Sequence, residues 1–307
     1  MNIPYFDAHC DTISRCAHHR WELKKNIGHI DLERGRTFSR YAQVFALFHA
    51  ASDAPEGQLW PICQELYTRL LEQLAQNSES ISLCRTGEEI EAATGEGLMA
   101  ALLSIEGAEL LECRVDRIET VARWGTRLMN LTWNFPNAIS GTNLRETDRG
   151  LSAYGRDFVR ELEHHHIYAD VSHLSDVGFW DLVHMARKPI VASHSNARTL
   201  RGHSRNLTDD MFRAIRDSGG VVGINFYRAF VGEGDDLDTL IAHMEHFLEL
   251  DGEKTVCFGG DLDGCDVLAG TLRGVQDVPL IYHALQRRGY SESLLEDLFW
   301  NNLRRLF

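Results

Sequence analysis

The chain has 307 residues, of which 44% are hydrophobic and 25% charged, so it can bury a full globular core. Its formal net charge of −14, with no basic stripe, disfavours nucleic acid as a partner. No apolar run approaches the roughly 20 residues that a membrane helix needs, and "MNIPYFDAHC" lacks the basic start and apolar stretch of a secretion signal. Unless a leader has been removed, these features predict a soluble, cytoplasmic protein that has no membrane partner.

Short apolar runs alternate with amphipathic stretches along the whole chain. Eight runs predict strands, at Tyr5–His9, Gln43–Phe48, Met99–Ile105, Arg127–Thr132, Ile167–Ser172, Pro189–Ser193, Val221–Phe226 and Thr255–Gly259. Stretches with apolar residues three and four apart predict helices, at Leu59–Gln76, Arg114–Trp124, Gly155–His165, Val177–Ala186, Asp209–Asp217, Leu237–Leu250 and Ser291–Phe307.

This alternation predicts a TIM (β/α)8 barrel. Eight strand–helix units in order are what such a barrel requires, and near-continuous apolar strands suit burial on both faces. No Pro/Ser/Gly-rich linker or low-complexity tract divides the sequence, so residues 1–307 are predicted to form one domain. A doubly wound open sheet is the alternative, and the placing of the polar residues favours the barrel.

Ionisable side chains follow five of the predicted strands at the same relative place. In chain order they are His9 and Asp11 in "DAHCDT", Glu106 in "SIEGAE", His173 in "DVSHLSD", His194 in "VASHSNAR" and Asp261 in "FGGDLDG". Each alone is compatible with a hydrogen-bonded histidine, a helix cap or a turn former. In a barrel, however, all the C-terminal strand ends meet at one mouth, where active sites lie. Six such residues at equivalent places therefore predict a single site.

Three histidines and two carboxylates are ligand types that suit zinc and similar divalent metals. Five such ligands are more than one tetrahedral ion needs, but they suit two ions that share a carboxylate. Two ions about 3.5–4 Å apart can hold a water between them and lower its pKa toward about 7. The seven cysteines contain no CxxC pair, so no cysteine zinc site is predicted. The pattern indicates a centre with two metals that can activate a water.

Ten segments in order resemble the membrane dipeptidase (renal dipeptidase) family of zinc peptidases. They are "DAHCDT", "SIEGAE", "LTWN", "GLSAYG", "DVSHLSD", "SHSNAR", "RNLTDD", "GINFY", "FGGDLDG" and "NNLRRLF". The similarity runs from Phe6 to Phe307 and looks like that of a short bacterial-type member without the signal and lipid anchor of the animal enzymes. The resemblance implies a TIM barrel with two zinc ions, dipeptide substrates, tolerance of a C-terminal D-residue, and a homodimer.

Carried over residue by residue, the resemblance also implies how the metals are held. His9 and Asp11 fall on one zinc ion, His173 and His194 fall on the other, and Glu106 bridges the two. A hydroxide that bridges the metals would then attack the peptide carbonyl, which one zinc ion polarises.

Three further positions concern the substrate and the proton. Asp261, the first aspartate of "GGDLDG", matches the family's catalytic acid/base, which passes a proton to the leaving amine. Arg205 in "HSRNLTD" matches the arginine that binds the substrate's terminal carboxylate. Trp133 stands where relatives often have a histidine that contacts the substrate. We expect the indole to form a wall of the pocket that shapes specificity rather than rate.

Two other functions are alternatives at this point. A barrel hydrolase of the amidohydrolase type, acting on a lactone, phosphotriester or N-acyl amino acid, more often opens with His-x-His and bridges with a lysine-derived carbamate. This chain has His-x-Asp and a glutamate in the corresponding places. A catalytically silent metal-binding homologue is the second alternative, and the intact ligand set together with Asp261 argues against it. Arg205 also has an alternative role, as a loop arginine paired with Asp209 or Asp210.

Overall fold

The computed structural model describes residues 2–234 and 237–307. In these residues nine parallel strands occur, namely β1 (Pro4–Cys10), β2 (Arg40–Leu47), β3 (Ile81–Leu83), β4 (Met99–Glu106), β5 (Thr126–Asn130), β6 (Tyr168–Asp170), β7 (Val191–Ala192), β8 (Val221–Ile224) and β9 (Val256–Phe258). Eight of them close into a barrel in the ring order β1, β2, β4, β5, β6, β7, β8, β9, because β2 pairs with β4 and β9 pairs with β1. The prediction of a TIM barrel is confirmed.

Each of the eight predicted strands overlaps one of the eight barrel strands. No pattern in the sequence indicated β3, which has three residues and pairs with the beginning of β4, Ile81 opposite Met99. A run of that length is too short for a periodic pattern to distinguish it from a loop.

The helices follow the strands around the barrel. They are α1 (Thr12–His19), α2 (Leu32–Gly35), α3 (Leu59–Gln76), α4 (Gly87–Gly95), α5 (Ile118–Trp124), α6 (Ala153–His164), α7 (Asp176–Met185), α8 (Asp209–Asp217), α9 (Arg228–Val231), α10 (Asp238–Glu249), α11 (Pro279–Arg287), α12 (Glu292–Glu296) and α13 (Asn302–Arg304). The predicted bounds of α3 and α8 agree with the structure, and a π-helical turn joins α12 to α13. None of the described helices is long and apolar enough to cross a membrane.

Hydrophobic packing and helix caps explain why the sequence adopts these elements. Every residue of β1 and β4 is buried, as expected for barrel strands that are covered on both faces. Side chains that accept a backbone N–H at the helix start fix where several helices begin; they are Thr86, Ser152, Ser175, Thr208 and Ser291. The barrel is thus a packed frame whose C-terminal strand ends present the polar residues.

Candidate active site

Two long strands carry the first part of the site. His9 lies in β1, Asp11 follows that strand directly, and Glu106 is the last residue of β4. The Asp11 amide donates to the carbonyl of Leu262 at 2.9 Å, which ties the end of β1 to the loop after β9. His9 Nε2 lies 3.5 Å from Asp11 Oδ2 and 3.5 Å from Glu106 Oε2. Two carboxylates therefore converge on one imidazole nitrogen.

His173 and His194 approach Glu106 from the opposite side. They lie on the loops that follow β6 and β7. His173 Nε2 is 3.0 Å from Glu106 Oε1 and 3.1 Å from His194 Nε2, and His194 Nε2 is 3.7 Å from Glu106 Oε1. Glu106 thus turns Oε1 toward this histidine pair and Oε2 toward His9. A carboxylate shared between two metal ions would be arranged in this way.

A buried carboxylate fixes the loops of the histidine pair. Asp170 Oδ1 accepts hydrogen bonds from the backbone amides of Ser172 at 2.9 Å and Ser193 at 3.0 Å. Ser172 Oγ accepts in turn from the amide of His194, and Ser193 Oγ lies 2.7 Å from His194 Nδ1. An imidazole that is held through Nδ1 presents Nε2 to a metal. Asn134 Oδ1 lies 2.9 Å from Nδ1 of His173 and orients that imidazole in the same way.

A second buried carboxylate, Asp7, joins β1 to the loop after β9. Its Oδ1 accepts from the His9 amide at 2.9 Å and from Gln43 Nε2 at 3.0 Å. Its Oδ2 accepts from the Gly260 amide at 2.9 Å and from the Tyr5 hydroxyl. All four donors are buried together with Asp7. Its carboxylate therefore positions His9, a candidate ligand, and the turn at Gly260 that leads into Asp261.

Asp261 projects into the cluster from the loop after β9. It has a left-handed backbone conformation, with φ of 55°, and its Oδ2 accepts from Asn225 Nδ2 at 3.0 Å. Its Oδ1 lies 4.0 Å from His9 Nε2. Burial raises the pKa of Asp261 to about 6, against the opposing attraction of His9. A carboxyl with such a pKa can both take and give a proton near neutral pH.

Asp263, the other aspartate of this turn, is engaged differently. Its Oδ1 accepts from the backbone amide of His29 at 2.6 Å, and its Oδ2 accepts from Thr12 Oγ1 at 2.6 Å. Both oxygens therefore connect chain segments that are far apart in sequence, and neither is directed to His9.

Burial and neighbouring charges strongly perturb the acid–base groups of the cluster. The pKa of Glu106 is raised to about 8, first by burial and then by the nearby carboxylate of Asp11. Burial lowers the pKa of His9, but the Glu106 and Asp11 carboxylates outweigh it, so the net shift is well upward. Burial holds the pKa values of His173 and His194 well below their usual range. Carboxylates crowded beside the uncharged imidazoles of His173 and His194 form a centre that a cation would stabilise.

The donor atoms fit divalent metal ions. One atom each from His9, Glu106 and His194 lies within 4.8 Å of the others, and so does one atom each from His9, Asp11 and Asp261. In the described part of the chain, His9 Nε2 and Asp11 Oδ1 are buried without a hydrogen-bond partner. Buried polar atoms normally have partners, so these orphaned atoms are consistent with ligands that bind metal.

Arg205 lies next to the histidine pair and is buried. Its Nη2 donates to the carbonyl of His194 at 3.5 Å, and its guanidinium carbon lies 5.2 Å from the ring centre of Phe230. Its Nε and Nη1 have no hydrogen-bond partner among residues 2–234 and 237–307. Asp209 and Asp210, the alternative partners, bind His246 and Arg213 instead. Burial lowers the pKa of Arg205 to about 10, so it remains a cation at neutral pH.

Trp133 stands beyond β5, where its indole packs among other rings. Its ring centre lies 4.9 Å from that of Phe48, 6.0 Å from that of Phe135 and 6.3 Å from that of His173. Its backbone amide donates to Glu109 Oε1 at 3.2 Å. The indole therefore borders the candidate metal centre as part of an aromatic wall.

Sequence reasoning assigned no role to the residues that support the candidate ligands. They are Asp7, Asn134, Asp170, Ser193 and Asn225. One signal was available, because Asp7 and Asp170 interrupt otherwise apolar strand runs, "YFDAH" and "IYADVS". A charged residue inside a buried strand needs hydrogen-bond partners nearby, although the sequence does not identify those partners.

Comparison with known proteins shows the family of this chain. The family described as membrane dipeptidase (peptidase family M19) matches residues 1–307. A Klebsiella pneumoniae protein, described as an uncharacterized protein in the pqqA 5′ region, is 35% identical over 250 residues, which cover 77% of this chain and 92% of that protein.

Two solved structures superimpose on the whole chain. A metallopeptidase from Rhodobacter sphaeroides, liganded with a phosphinate mimic of the dipeptide L-Ala-D-Ala, is 28% identical with a TM-score of 0.90, and the match covers 100% of this chain and 99% of that one. A structure described as dipeptidase AC, a metallopeptidase of family M19, is 28% identical with a TM-score of 0.91, covering 100% and 98% of the two chains.

Proposed function

The chain belongs to the membrane dipeptidase family and is a metallo-dipeptidase, and from this premise we propose that it hydrolyses dipeptides with two zinc ions at the barrel mouth. The position of Glu106 carries this proposal, because Oε2 lies 3.5 Å from His9 and Oε1 lies 3.0 Å from His173. One carboxylate between His9 on one side and a histidine pair on the other suits two ions better than one. The chemistry that the bound ions supply is an activated water and a polarised substrate carbonyl.

In this proposal the five candidate ligands divide into two sets with one shared member. His9 and Asp11 hold one ion, His173 and His194 hold the other, and Glu106 belongs to both. The orphaned Nε2 of His9 and Oδ1 of Asp11 support ligand roles for these two residues. His173 and His194 would bind the metal through Nε2, because the Nδ1 atom of each is hydrogen-bonded, to Asn134 and Ser193 respectively.

Asp261 acts as the general acid/base of the proposed reaction. Its carboxyl takes the proton from the attacking water and gives it to the leaving amine, which must depart neutral. Two observations support this role: Oδ1 lies 4.0 Å from His9 Nε2, at the edge of the cluster, and Asn225 fixes the orientation of the carboxyl at 3.0 Å.

Arg205 binds the terminal carboxylate of the substrate. Its Nε and Nη1 lack partners in the described chain although the side chain is buried. A planar guanidinium matches a carboxylate through two parallel hydrogen bonds. Because Arg205 Nη2 contacts the carbonyl of His194 at 3.5 Å, a carboxylate held there would place the scissile bond of a short substrate near the histidine pair. This arrangement favours dipeptides over longer peptides.

Three finer properties belong to the same proposal. Tolerance of a C-terminal D-residue is supported by the relative from Rhodobacter sphaeroides, which binds a mimic of L-Ala-D-Ala. The homodimer rests on the family resemblance. One domain over residues 1–307 accords with the range that the family matches.

The test is a turnover screen on protein whose metal content is measured. We expect hydrolysis of L-Ala-L-Ala and L-Ala-D-Ala, loss of activity with a chelator, and recovery as zinc returns to two ions per chain. Full activity with at most one ion per chain would contradict the binuclear centre. Turnover of N-acyl amino acids or lactones in place of dipeptides would favour the amidohydrolase-type alternative.

The role of Arg205 has its own test. Arg205→Lys should raise KM for free dipeptides far more than for their C-terminal amides, because an ammonium cannot form two parallel hydrogen bonds to a carboxylate. Arg213→Lys is the matched control, since Arg213 pairs with Asp210 on α8 at 2.9 Å, away from the cluster. If the unmodified protein cleaves free acids and amides equally well, Arg205 does not bind the carboxylate.

A further inference from the structure

Asn196 is a fully buried asparagine on the loop after β7, two residues beyond the candidate ligand His194. Its Oδ1 accepts from the backbone amide of Asn225 at 3.1 Å, and its Nδ2 donates to the backbone carbonyl of Asn225 at 2.9 Å. Both polar atoms of this side-chain amide are thus bound to the backbone of one residue. Two such bonds fix Asn225 much as the paired bonds of a β-ladder fix a strand residue.

The shortness of β7 explains why a side chain is needed here. This strand has two residues, and both pair with β8. Beyond them the Ser195 amide donates to the carbonyl of Gly223 at 2.8 Å, and the Asn196 side chain then takes the place of a further backbone rung. The loop after β7 is thereby joined to Asn225, the residue that follows β8.

The backbone on either side of Asn225 is bound to the loop after β9. The Gly259 amide donates to the carbonyl of Ile224 at 3.2 Å, and the Phe226 amide donates to the carbonyl of Gly260 at 3.3 Å. Asn225 therefore lies between two loops, with its own amide and carbonyl on the β7 side. Its position depends on both of them.

The Asn225 side chain passes this position on to Asp261. Its Oδ1 accepts from the Tyr227 amide at 2.6 Å, which leaves Nδ2 as the donor to Asp261 Oδ2 at 3.0 Å. Because Oδ2 accepts this bond, Oδ1 is the oxygen that lies toward His9, at 4.0 Å from Nε2. In the proposed reaction Oδ1 then takes the proton of the attacking water and gives it to the leaving nitrogen, which restores the carboxylate.

We propose that Asn196 is a positioning residue for the acid/base, because through Asn225 it orients the Asp261 carboxyl with Oδ1 toward the candidate ligands. The inference rests on the proposed dipeptidase function and deepens it. A purely structural role, in which Asn196 only stabilises the short pairing of β7 with β8, predicts lower stability with no effect specific to Asp261.

The experiment is a double-variant cycle on the zinc-loaded protein with L-Ala-D-Ala as substrate. Asn196→Ala removes both bonds to Asn225, and we expect kcat to fall by about 10- to 100-fold, since a misplacement of about 1 Å can cost about 100-fold. Metal content and KM should change little, because Ser172 and Ser193 hold His194. Adding Asn196→Ala to Asp261→Asn should lower kcat no further, since the carboxyl that Asn196 orients is already gone.

Asn302→Ala is the matched control. This buried asparagine also uses its amide on the backbone, donating to the carbonyls of Glu253 and Val256 at 2.7 Å each. Val256 begins β9, at the end of the barrel opposite the mouth. The control should lower stability in denaturant unfolding and leave kcat unchanged.

A second variant serves if Asn196→Ala does not fold. Asn196→Asp keeps the shape of the side chain and the acceptor for the Asn225 amide, but it turns an oxygen toward the Asn225 carbonyl in place of a donor. We expect kcat to fall in this variant too, again with no further loss when it is combined with Asp261→Asn.

The outcomes separate the two proposals. If the unmodified zinc-loaded protein cleaves no dipeptide, the proposed function fails and this inference fails with it. If that protein is active but the folded Asn196 variants keep a normal kcat, the function stands and the positioning role is overturned. An equal loss of kcat with and without Asp261→Asn, or a loss explained by missing metal, would also overturn that role.

Discussion

The two sides of the barrel mouth hold their site residues by different means. Strands β1 and β4 have 7 and 8 residues, whereas β6, β7 and β9 have 3, 2 and 3. Glu106 therefore pairs with Asn130 within a hydrogen-bonded ladder, and His9 lies inside β1 at a shift of register between Asp7 and Cys10. His173, His194 and Asp261 lie beyond the ends of their short strands, on loops.

The short-strand side compensates with side-chain hydrogen bonds and with unusual backbone conformations. His173 and Asp261 have φ values of 75° and 55°, a region that non-glycine residues seldom adopt. Asp170 accepts two loop amides, and Asn225 holds the Asp261 carboxyl. The difference teaches that a ladder positions Glu106 through the backbone, whereas the loop residues, and His9 at its register shift, need buried polar side chains to reach similar precision.

The buried aspartates Asp7 and Asp170 show the same contrast at the level of single atoms. Asp7 uses both oxygens as acceptors, from His9 and Gln43 on one and from Gly260 and Tyr5 on the other. Asp170 uses Oδ1 for two amides, and its Oδ2 has no partner in residues 2–234 and 237–307. An asparagine can therefore replace Asp170 more readily than Asp7.

The largest expected effect is that of Glu106→Ala, which removes the residue shared by the two sides. We expect both metals to be lost together and turnover to fall to background, whereas Asp11→Ala should chiefly weaken one site. Elemental analysis and dipeptide turnover measure both quantities. Glu119→Ala is the control, because this exposed glutamate of α5 pairs with Arg123. Retention of one full equivalent of metal in Glu106→Ala would argue against a shared ligand.

Asp261→Asn tests the loop side without removing a predicted ligand. The amide oxygen can still accept from Asn225, so the metals should stay bound while kcat falls by about 10²–10⁴, the usual contribution of a positioned acid/base. Asp263→Asn is the comparison, because both its oxygens accept hydrogen bonds from His29 and Thr12. It should lower stability more than kcat. Near-normal kcat in Asp261→Asn would assign the proton transfer to another residue.

Asp7→Asn should be clearly more damaging than Asp170→Asn. In the first variant an NH₂ group must face a buried donor, which costs about 1–3 kcal/mol. In the second the amide oxygen can keep the bonds to Ser172 and Ser193. Denaturant unfolding and metal titration measure the two effects, with Asp170→Ala as the variant that loses both bonds. Equal losses for the two asparagine variants would mean that charge, rather than hydrogen-bond geometry, is what these sites require.

The contrast between long and short strands also explains which parts of the fold and of the site could be predicted from the sequence. Long strands such as β1 and β4 are strongly apolar runs, so their ends and their polar residues, His9 and Glu106, could be located by pattern alone. The short β3 could not. The bond between Asp170 and Ser193 joins neighbouring strands, so it depends on a pairing that no local pattern specifies.

The smallest expected effect on rate is that of Trp133→Phe. The indole packs against Phe48 at 4.9 Å and near His173 at 6.3 Å between ring centres, which is the environment of a wall. Indole donates one hydrogen bond and does not titrate, so it cannot replace a histidine as an acid or base. A phenyl ring keeps most of the packing but is smaller, so the ranking of dipeptides should shift while kcat stays nearly intact. Measuring kcat and KM on several dipeptides decides the matter. An oxyanion donor would instead cost about 10²–10³ in kcat, and a uniform fall of that size with an unchanged ranking would assign Trp133 to the chemistry rather than to the wall.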